Sequence, residues 1–276
     1  MRKLIHIDSN GVLANEFSGK VVVITGAGSG IGRSLARQLA ASGANLALSD
    51  IDSAGLDETV CGFPETIKVS THTFDVSDLE AYRQFVNQVV AVHGGVDMVI
   101  NNAGIVRLHS IDQGKYEDYT KSIDVNVMGV LYGCKEFLPH LRKRSQAWLV
   151  NISSAAGLIG VGHYSSYNLT KFAVRGLTES LRSELRDTNV HVACVHPGGV
   201  DTNIEKSGVH SDDARSSAAK LAANVKQMTA DQAAAQLLAG LVKKRKRIII
   251  GRDAKIVDIV ARLFPAGYEW AVSKYV

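Results

Sequence analysis

Tyr167 and Lys171 stand four residues apart in a segment whose pattern predicts a helix over 165–187. Residues i and i+4 lie on one face of an α-helix, so the phenol and the ammonium can serve one site. A free tyrosine has a pKa of about 10, which is too high for a base at neutral pH. A cation within about 4–6 Å favours the phenolate and lowers that pKa by roughly 1–3 units. Tyr167 could then act as general base on an alcohol or as general acid on a ketone.

Other polar side chains could assist this chemistry. Ser153 and Ser154 follow the predicted strand 147–152, and Ser154 stands thirteen residues before Tyr167. A hydroxyl at this place can donate a hydrogen bond to a substrate oxygen as negative charge develops on it. Asn126 lies inside a predicted helix, where helix propensity slightly disfavours asparagine, so it is a further candidate for the site.

A glycine-rich turn, TGAGSGIG over 25–32, lies between a predicted buried strand and a predicted helix. Gly26 can adopt turn dihedrals that other residues avoid, Gly30 lets phosphate oxygens approach the backbone, and Gly32 lets the helix pack closely on the strand. The free N–H groups and positive end of the helix would face a pyrophosphate. Because no GK[ST] ends the turn, the sequence favours dinucleotide binding over nucleotide hydrolysis.

Asp50 ends the second predicted strand, where a carboxylate can accept hydrogen bonds from the adenosine ribose hydroxyls and would repel a 2′-phosphate. Neither Ile51, which follows it, nor Ser29 in the glycine turn offers a cation for that phosphate. The sequence therefore favours NAD, with NADP less favoured.

The elements that must position these side chains alternate along the chain. We predict strands at 20–25, 45–50, 66–73, 97–101, 147–152, 190–196 and 247–250. We predict helices at 31–42, 53–60, 78–93, 112–142, 165–187, 230–243 and 254–263. Such alternation indicates an α/β fold, a parallel sheet with helices on both faces. We expect one domain over 1–276, with an N-terminal extension over 1–17, an irregular insertion over 203–228 that covers the substrate, and an apolar C-terminal segment over 254–276.

Composition and charge exclude several classes of protein. The 276 residues are 46% hydrophobic and 21% charged, which rules out a disordered or fibrous chain. Aromatic residues make up 6% and the net charge is +4, so we expect no nucleic acid partner. The three cysteines form no CxxC pair, which favours a reducing compartment and hence a cytoplasmic location and predicts no metal site. The N-terminal segment does not look like a secretory signal, and no stretch is long and apolar enough to span a membrane.

Taken together, these motifs resemble those of the short-chain dehydrogenase/reductase family, over about residues 18–252. The matching positions are the turn 25–32, Asp75, the NNAG of 101–104, Asn126, Ser154, Tyr167, Lys171 and Pro197-Gly198. The resemblance implies a doubly wound Rossmann fold of about seven strands and an NAD(P)-dependent oxidoreductase.

The family's roles carry over by position. The resemblance implies a catalytic set of Asn126, Ser154, Tyr167 and Lys171, in which Tyr167 is the acid/base and Lys171 also binds the nicotinamide ribose. Asn126 would hold a water through its backbone in a proton relay with Lys171. The implied cofactor-binding residues are Gly26, Gly28, Ser29, Gly30, Ile31, Gly32, Asp50, Ile51, Asp75, Val76, Asn102, Ala103, Gly104, Tyr167, Lys171, Pro197, Gly198, Val200 and Thr202.

The pocket segments and two long helices bear on the substrate and the partners. The pocket segments suggest a moderately apolar secondary alcohol or ketone, and the pocket residues expected are Ile105, Val106, Leu108, Leu158, Ile159 and Val161. The helices 112–142 and 165–187 resemble those through which family members pair, so we expect a homodimer or homotetramer. The alternative function is a non-catalytic NAD(H)-binding sensor or scaffold on the same fold.

Five further features receive an interpretation. We read Arg107 as a solvated arginine, His196 as structural, and His163 as a polar loop residue that could line the pocket. We read the basic run 243–247 as a solvated loop. The C-terminal segment 254–276 could cover the pocket, contact a subunit or lie on a membrane surface; composition does not decide among these, and membrane contact is not the one favoured.

Overall fold

The computed structural model of this chain describes residues 13, 15–202, 204, 209–211 and 227–268. Seven strands form one parallel sheet in the order β3-β2-β1-β4-β5-β6-β7. Their bounds are β1 Val21–Thr25, β2 Asn45–Asp50, β3 Val69–Thr73, β4 Met98–Asn101, β5 Ala147–Ile152, β6 Val190–Pro197 and β7 Arg247–Ile250. The strand order reverses between β1 and β4, which is the place where doubly wound sheets bind their ligands. The prediction of a seven-stranded doubly wound Rossmann fold is therefore confirmed.

Helices connect these strands on both faces of the sheet. Their bounds are α1 Gly30–Ala41, α2 Ser53–Val60, α3 Leu79–His93, α4 Tyr116–Ile123, α5 Gly129–Leu141, α6 Ser165–Glu184, α7 Ala230–Val242 and α8 Arg252–Leu263. Within the described part of the chain, no helix combines the length and apolar content that a membrane span requires.

Alternate residues of each strand point into two separate cores, because successive side chains of a strand face opposite sides of the sheet. Val22 and Ile24 of β1 belong to a cluster that includes the buried faces of α1 and α7. Val21 and Val23 belong to a second cluster, with α3, α5 and α6. The central strands are buried on both sides, which explains their nearly unbroken apolar sequences.

The predicted helix 112–142 is divided in the structure. α4 begins only at Tyr116, after a turn in which Ser110 O accepts hydrogen bonds from the N–H groups of Gln113 and Gly114. Between α4 and α5 the chain forms a π-helical turn over Asp124–Met128. Single π-turns within α-helices occur frequently at functional sites, and this one carries Asn126.

The insertion predicted over 203–228 lies mostly outside the described residues. Its described parts form two short parallel ladders, Val209–His210 with Arg107–Leu108 and Met228–Thr229 with Val200–Asp201. The predicted extension 1–17 also lies largely outside them, but Phe17 is fully buried with its ring 5.8 Å from that of Trp148.

Candidate active site

The glycine turn, together with the N-terminus of α1, forms a cradle that is open only because the turn carries no side chains at its glycines. Gly26 and Gly30 have φ values of +67° and +51°, a region that L residues rarely adopt. A Cβ on Gly32 would lie 2.0 Å from Gly26 O, and one on Gly26 would lie 2.8 Å from the Cα of Ala103. Ser29 precedes α1, yet its side chain makes no capping hydrogen bond in the part of the chain that is described. A helix N-terminus with unpaired N–H groups fits an anionic phosphate, so the residues present fit a dinucleotide.

Asp50 lies against this turn. Its Oδ2 accepts a hydrogen bond of 2.8 Å from Gly28 N, and its Oδ1 accepts one of 3.1 Å from Asp52 N. These bonds hold the carboxylate at the end of β2, while the next side chain, Ile51, is 70% exposed. A negative charge therefore lies where the sequence analysis expects the adenosine ribose.

Arg33 is a residue of this region that sequence reasoning missed. Its guanidinium donates to the carbonyl oxygen of Gly28 and, over 3.1 Å, to Thr59 Oγ1, and it lies 2.9 Å from the carboxylate of Glu58. Its donors are thus directed at protein acceptors. The only signal in the sequence was a basic residue directly after Gly32, and its partners on α2 could not be read from that position.

The Asn102 side chain supports the glycine turn from the neighbouring strand. Its Nδ2 donates to Thr25 O and Gly26 O, each over 3.0 Å. In return, Thr25 Oγ1 accepts hydrogen bonds from Asn102 N and Ala103 N, each over 3.1 Å. β1 and β4 are neighbours in the sheet, so these bonds join the ends of the two strands at the switch point.

Lys171 is buried beside the carboxyl end of β5. It is 3% exposed, and its Nζ donates to Ile152 O over 3.0 Å. Burial lowers the pKa of this ammonium to about 8, because charge is costly away from water. The ammonium thus stays protonated at neutral pH but is closer to releasing its proton than an exposed lysine.

Tyr167 and Lys171 meet as their spacing predicts. Lys171 Nζ lies 5.5 Å from the centre of the Tyr167 ring. The Tyr167 ring is partly buried and packs against an apolar cluster that includes Val106, Leu108 and Tyr164. The phenol therefore stands between a cation and an apolar surface.

The two serines after β5 have different environments. Ser153 is 2% exposed and its Oγ donates to Lys171 O over 2.9 Å, so this hydroxyl connects β5 to α6. Ser154 is only partly buried, and its Oγ accepts a hydrogen bond of 3.1 Å from Ala156 N. That bond uses an acceptor position of the Ser154 hydroxyl and leaves its O–H as a donor for a substrate oxygen.

Asn126 is fully buried in the π-helical turn. Its Oδ1 accepts from Ile105 N over 2.8 Å, and its Nδ2 donates to Ile105 O over 2.9 Å and to Thr170 Oγ1 over 3.1 Å. A Cβ on Gly104 would lie 3.1 Å from Asn126 Oδ1 and 3.5 Å from Lys171 Nζ. The amide therefore ties the segment after β4 to α6 next to the lysine, and its side chain is fully engaged in doing so.

Asp75 and Val76, the expected adenine contacts, stand after β3. Asp75 accepts from Ser77 N and Ser77 Oγ and lies 2.9 Å from Lys121 Nζ. Burial by itself raises the pKa of the Asp75 carboxyl, but the Ser77 hydrogen bonds and the Lys121 charge outweigh it, so the pKa lies below its ordinary value. Val76 is 7% exposed and packs against Gly129.

The segment after β6 is held by a residue that the sequence analysis did not identify. Asp253, in the first turn of α8, accepts a hydrogen bond of 2.7 Å from Gly199 N. A Cβ on Gly198 would lie 2.0 Å from the same carboxylate. At the other end of this segment, the methyl group of Thr202 faces Gly30 across the glycine turn. The segment after β6 thus runs from the end of that strand to the cofactor cradle, and it contains the expected cofactor residues Pro197, Gly198, Val200 and Thr202.

Two side-chain interpretations need correction. Arg107 is not a solvated arginine: its side chain is 24% exposed and pairs with Asp118 of α4. Residues 243–246 are exposed between α7 and β7, in agreement with the interpretation as a solvated loop, but Arg247 begins β7 and its Nη1 donates to Asp258 Oδ2 over 2.7 Å. Both partners lie on other elements, eleven residues further along the chain, so the basic residue alone did not reveal them.

His196 and His163 have different surroundings in the structure. The structural reading of His196 agrees with its geometry, since it is fully buried and its Nδ1 donates to Ser154 O over 3.1 Å. Burial lowers the pKa of His196 to about 4, so the ring is neutral at physiological pH. His163 has φ of +63°, and its carbonyl oxygen accepts from His109 N over 2.9 Å.

Comparisons with known proteins agree with this geometry. The family model described as short chain dehydrogenase matches residues 20–213. A protein of Mycobacterium tuberculosis named as an oxidoreductase, SadH, is 40% identical over 264 residues, which cover 94% of this chain and 96% of that protein.

Solved structures of dehydrogenases are also similar to this chain. A short chain dehydrogenase/reductase from Burkholderia phymatum in complex with NAD superposes with a TM-score of 0.84 at 28% identity, covering 91% of this chain and 95% of that one. An alcohol dehydrogenase from Thermococcus sibiricus, complexed with 5-hydroxy-NADP, has a TM-score of 0.73 at 27% identity, covering 85% and 97%.

Proposed function

The chain belongs to the short-chain dehydrogenase family, and on that premise we propose that it transfers a hydride between NAD(H) and a secondary alcohol or ketone, with Tyr167 as the acid/base. The observation that supports this most is the position of Lys171 Nζ, which is buried 5.5 Å from the centre of the Tyr167 ring. A desolvated cation beside a phenol stabilises the phenolate, which is the form that a base needs.

The chain's own residues handle the proton in this proposal. A bound nicotinamide supplies the hydride acceptor or donor. Tyr167 takes the hydroxyl proton of an alcohol, or gives a proton to the oxygen of a ketone. The Ser154 hydroxyl donates to the same substrate oxygen as charge develops there. Lys171 passes the proton on from Tyr167, and the buried Asn126 amide positions the backbone along which a water would connect Lys171 with solvent.

The side chains around the phenol favour a moderately apolar substrate. Val106, Leu108 and Tyr164 are buried beside Tyr167, and Val161 and Ile204 pack against them. The expected pocket residues Leu158 and Ile159 are also buried, at 7% and 4% exposure. An apolar wall with a few polar groups at one point is typical of small-molecule sites.

A panel of secondary alcohols and ketones, followed by NADH absorbance, tests this proposal. We expect turnover with apolar members of the panel and little with polyols of similar size. NADH binding without turnover of any member would favour the sensor or scaffold alternative.

Cofactor preference is a separate prediction that depends on Asp50. We expect NADH to bind more tightly than NADPH, because a 2′-phosphate would meet the Asp50 carboxylate while the Arg33 guanidinium is engaged by protein acceptors. The double change Asp50→Ala and Ile51→Arg should reduce the ratio of NADH to NADPH affinity by about tenfold or more, which corresponds to ~1.4 kcal/mol. Fluorescence titration of both cofactors measures the ratio.

Asp52→Ala is the matched control for this experiment. Asp52 is an exposed carboxylate two residues away that precedes α2, so its loss should leave the affinity ratio unchanged. Tighter binding of NADPH than of NADH by the unchanged chain would contradict the prediction.

We also propose a homodimer or homotetramer that pairs through α6 and α5. The outer face of α6 is apolar in the first half of the helix, with Leu169 at 50% and Phe172 at 41% exposure. On the same helix, a Cβ on Gly176 would meet no atom within 4 Å, so a side chain there has room in an isolated chain.

Gly176→Arg should therefore disrupt pairing without disturbing the fold of each subunit. Light scattering at micromolar concentration should show a multiple of 29.6 kDa for the unchanged chain and a mass near 29.6 kDa for the variant. Val92→Arg, on the exposed side of α3, is the control and should keep the larger mass. A monomeric unchanged chain would reject this assembly.

A further inference from the structure

α8 exposes a row of large apolar side chains. Ile256, Ile259 and Leu263 follow the helical spacing of one face, and Phe264 comes directly after the helix. Their exposed fractions are 53%, 57%, 67% and 62%. We call these four residues the α8 outer face.

The opposite side of α8 carries charge toward the protein. Asp258 is 9% exposed, and its carboxylate accepts hydrogen bonds from Arg247 of β7 and, over 3.1 Å, from Arg262 Nε. Surface helices of globular proteins ordinarily bury the apolar stripe and expose the charged one. In α8 the buried side holds the small Ala254 together with the Asp258 carboxylate, whereas the largest apolar side chains of the helix are exposed, so its outer face suits an apolar or amphipathic environment better than water.

The exposed charged side chains of α8 itself have one sign. Arg252, Lys255 and Arg262 are exposed on α8. The two carboxylates of the helix are directed inward, since Asp253 accepts from Gly199 N and Asp258 pairs with Arg247. The outer surface of α8 therefore combines apolar side chains with cations.

The combination of apolar side chains and cations favours a lipid surface over a second copy of the chain as the partner of this face. A second copy of the chain, related by a two-fold axis, would bring the same surface of α8 against itself and place cations near cations. Anionic lipid headgroups complement the cations, while apolar side chains on a helix in the interface enter the boundary with the acyl chains.

α8 is also held firmly against the catalytic end of the sheet. Asp253 binds the turn after β6, and Gly160 N donates to the Tyr268 hydroxyl over 3.1 Å just beyond the helix. Contact of the α8 outer face with a surface would thus bring that surface close to the segments that border the substrate site.

We propose that the α8 outer face docks on the surface of a lipid bilayer that contains anionic lipids. The helix lies in the plane of the interface, with its apolar side chains in the boundary region and its cations on the headgroups. This binding goes beyond the proposed oxidoreductase activity and is tested without any substrate.

Sedimentation with vesicles tests the proposal. The full chain should bind vesicles of phosphatidylcholine mixed with phosphatidylglycerol, should bind pure phosphatidylcholine vesicles more weakly, and should lose affinity as salt rises. Ile259→Glu should weaken binding by about tenfold or more, because it replaces an apolar side chain that would enter the bilayer boundary with a charge that the anionic surface repels. Lys255→Glu should weaken binding to the anionic vesicles only.

Ile111→Glu is the matched control, since Ile111 is 74% exposed but lies in the turn before α4. It should bind vesicles like the unchanged chain. Thermal unfolding verifies that each variant is folded. The proposal is overturned if the folded, unchanged chain binds neither kind of vesicle. It is also overturned if Ile111→Glu weakens vesicle binding as much as Ile259→Glu does. A third contrary result is that Ile259→Glu lowers the mass in light scattering while its vesicle binding equals that of the unchanged chain. The last result would assign the face to a second copy.

Discussion

Tyr167→Phe should lower turnover by at least about 10²–10⁴-fold, the range that general acid–base catalysis contributes. The change removes one hydroxyl and leaves the aromatic ring to pack against Val106 and Leu108, so the fold should persist. NADH affinity should stay close to that of the unchanged chain, because the proposed task of the hydroxyl is to exchange a proton with the substrate. Steady-state kinetics on the best substrate of the panel and a fluorescence titration with NADH measure the two quantities.

Tyr119→Phe is the matched control. The Tyr119 hydroxyl on α4 is 2.6 Å from Ser165 Oγ at the beginning of α6, the helix that carries Tyr167. Its loss removes one hydrogen bond to that helix and leaves the proposed proton path intact. We expect a change in turnover below about tenfold, in line with the modest net contribution of one hydrogen bond. If Tyr167→Phe keeps the turnover of the unchanged chain, the assignment of the acid/base is wrong, and His163 is the next base to test.

Lys171→Met should impair both chemistry and cofactor affinity. Without the buried ammonium, the phenolate loses its stabilising charge, so the ionisation that raises the rate of alcohol oxidation should move to higher pH. The proposed contact with the nicotinamide ribose is lost as well, so NADH should bind more weakly. Rate against pH and cofactor titration separate the two effects.

The same variant carries a stability signature in the cofactor-free protein. The pKa of Lys171 is lowered from 10.5 to about 8 by burial, so between these values the unfolded chain holds a proton that the folded chain has released. Stability rises with pH wherever the unfolded state binds more protons. The free energy of unfolding of the unchanged chain should therefore increase relative to that of Lys171→Met as pH rises from about 8 to about 10.5.

Urea unfolding across this pH range measures the difference. Lys143→Met, which removes an exposed lysine that follows α5, is the control for the loss of a lysine as such. Parallel pH curves for the unchanged chain and Lys171→Met would show that burial does not disfavour the ammonium and would contradict the lowered pKa of Lys171.

Local patterns in the sequence determined most of the fold. The seven strands lie within a few residues of their predicted bounds. The central strands β1, β4 and β5 are buried on both faces, and the short apolar runs that such burial requires can be recognised without knowledge of the partners. The glycine turn was also readable, since the lack of a Cβ at Gly26 and Gly32 is a property of the residues themselves. The i, i+4 spacing placed Tyr167 and Lys171 on one helix face in the same way.

Contacts between distant segments were decided only by the tertiary structure. The π-helical turn around Asn126 depends on its hydrogen bonds to Ile105, on the segment after β4, and to Thr170 of α6. The positions of Arg33 and Asp253 likewise depend on acceptors and donors that lie on other elements. Helical periodicity reports only that one stripe of a helix is apolar; which stripe faces inward depends on what the neighbouring strand presents. In α8 the burial of Asp258 against Arg247 settled that choice and turned Ile256 and Ile259 outward.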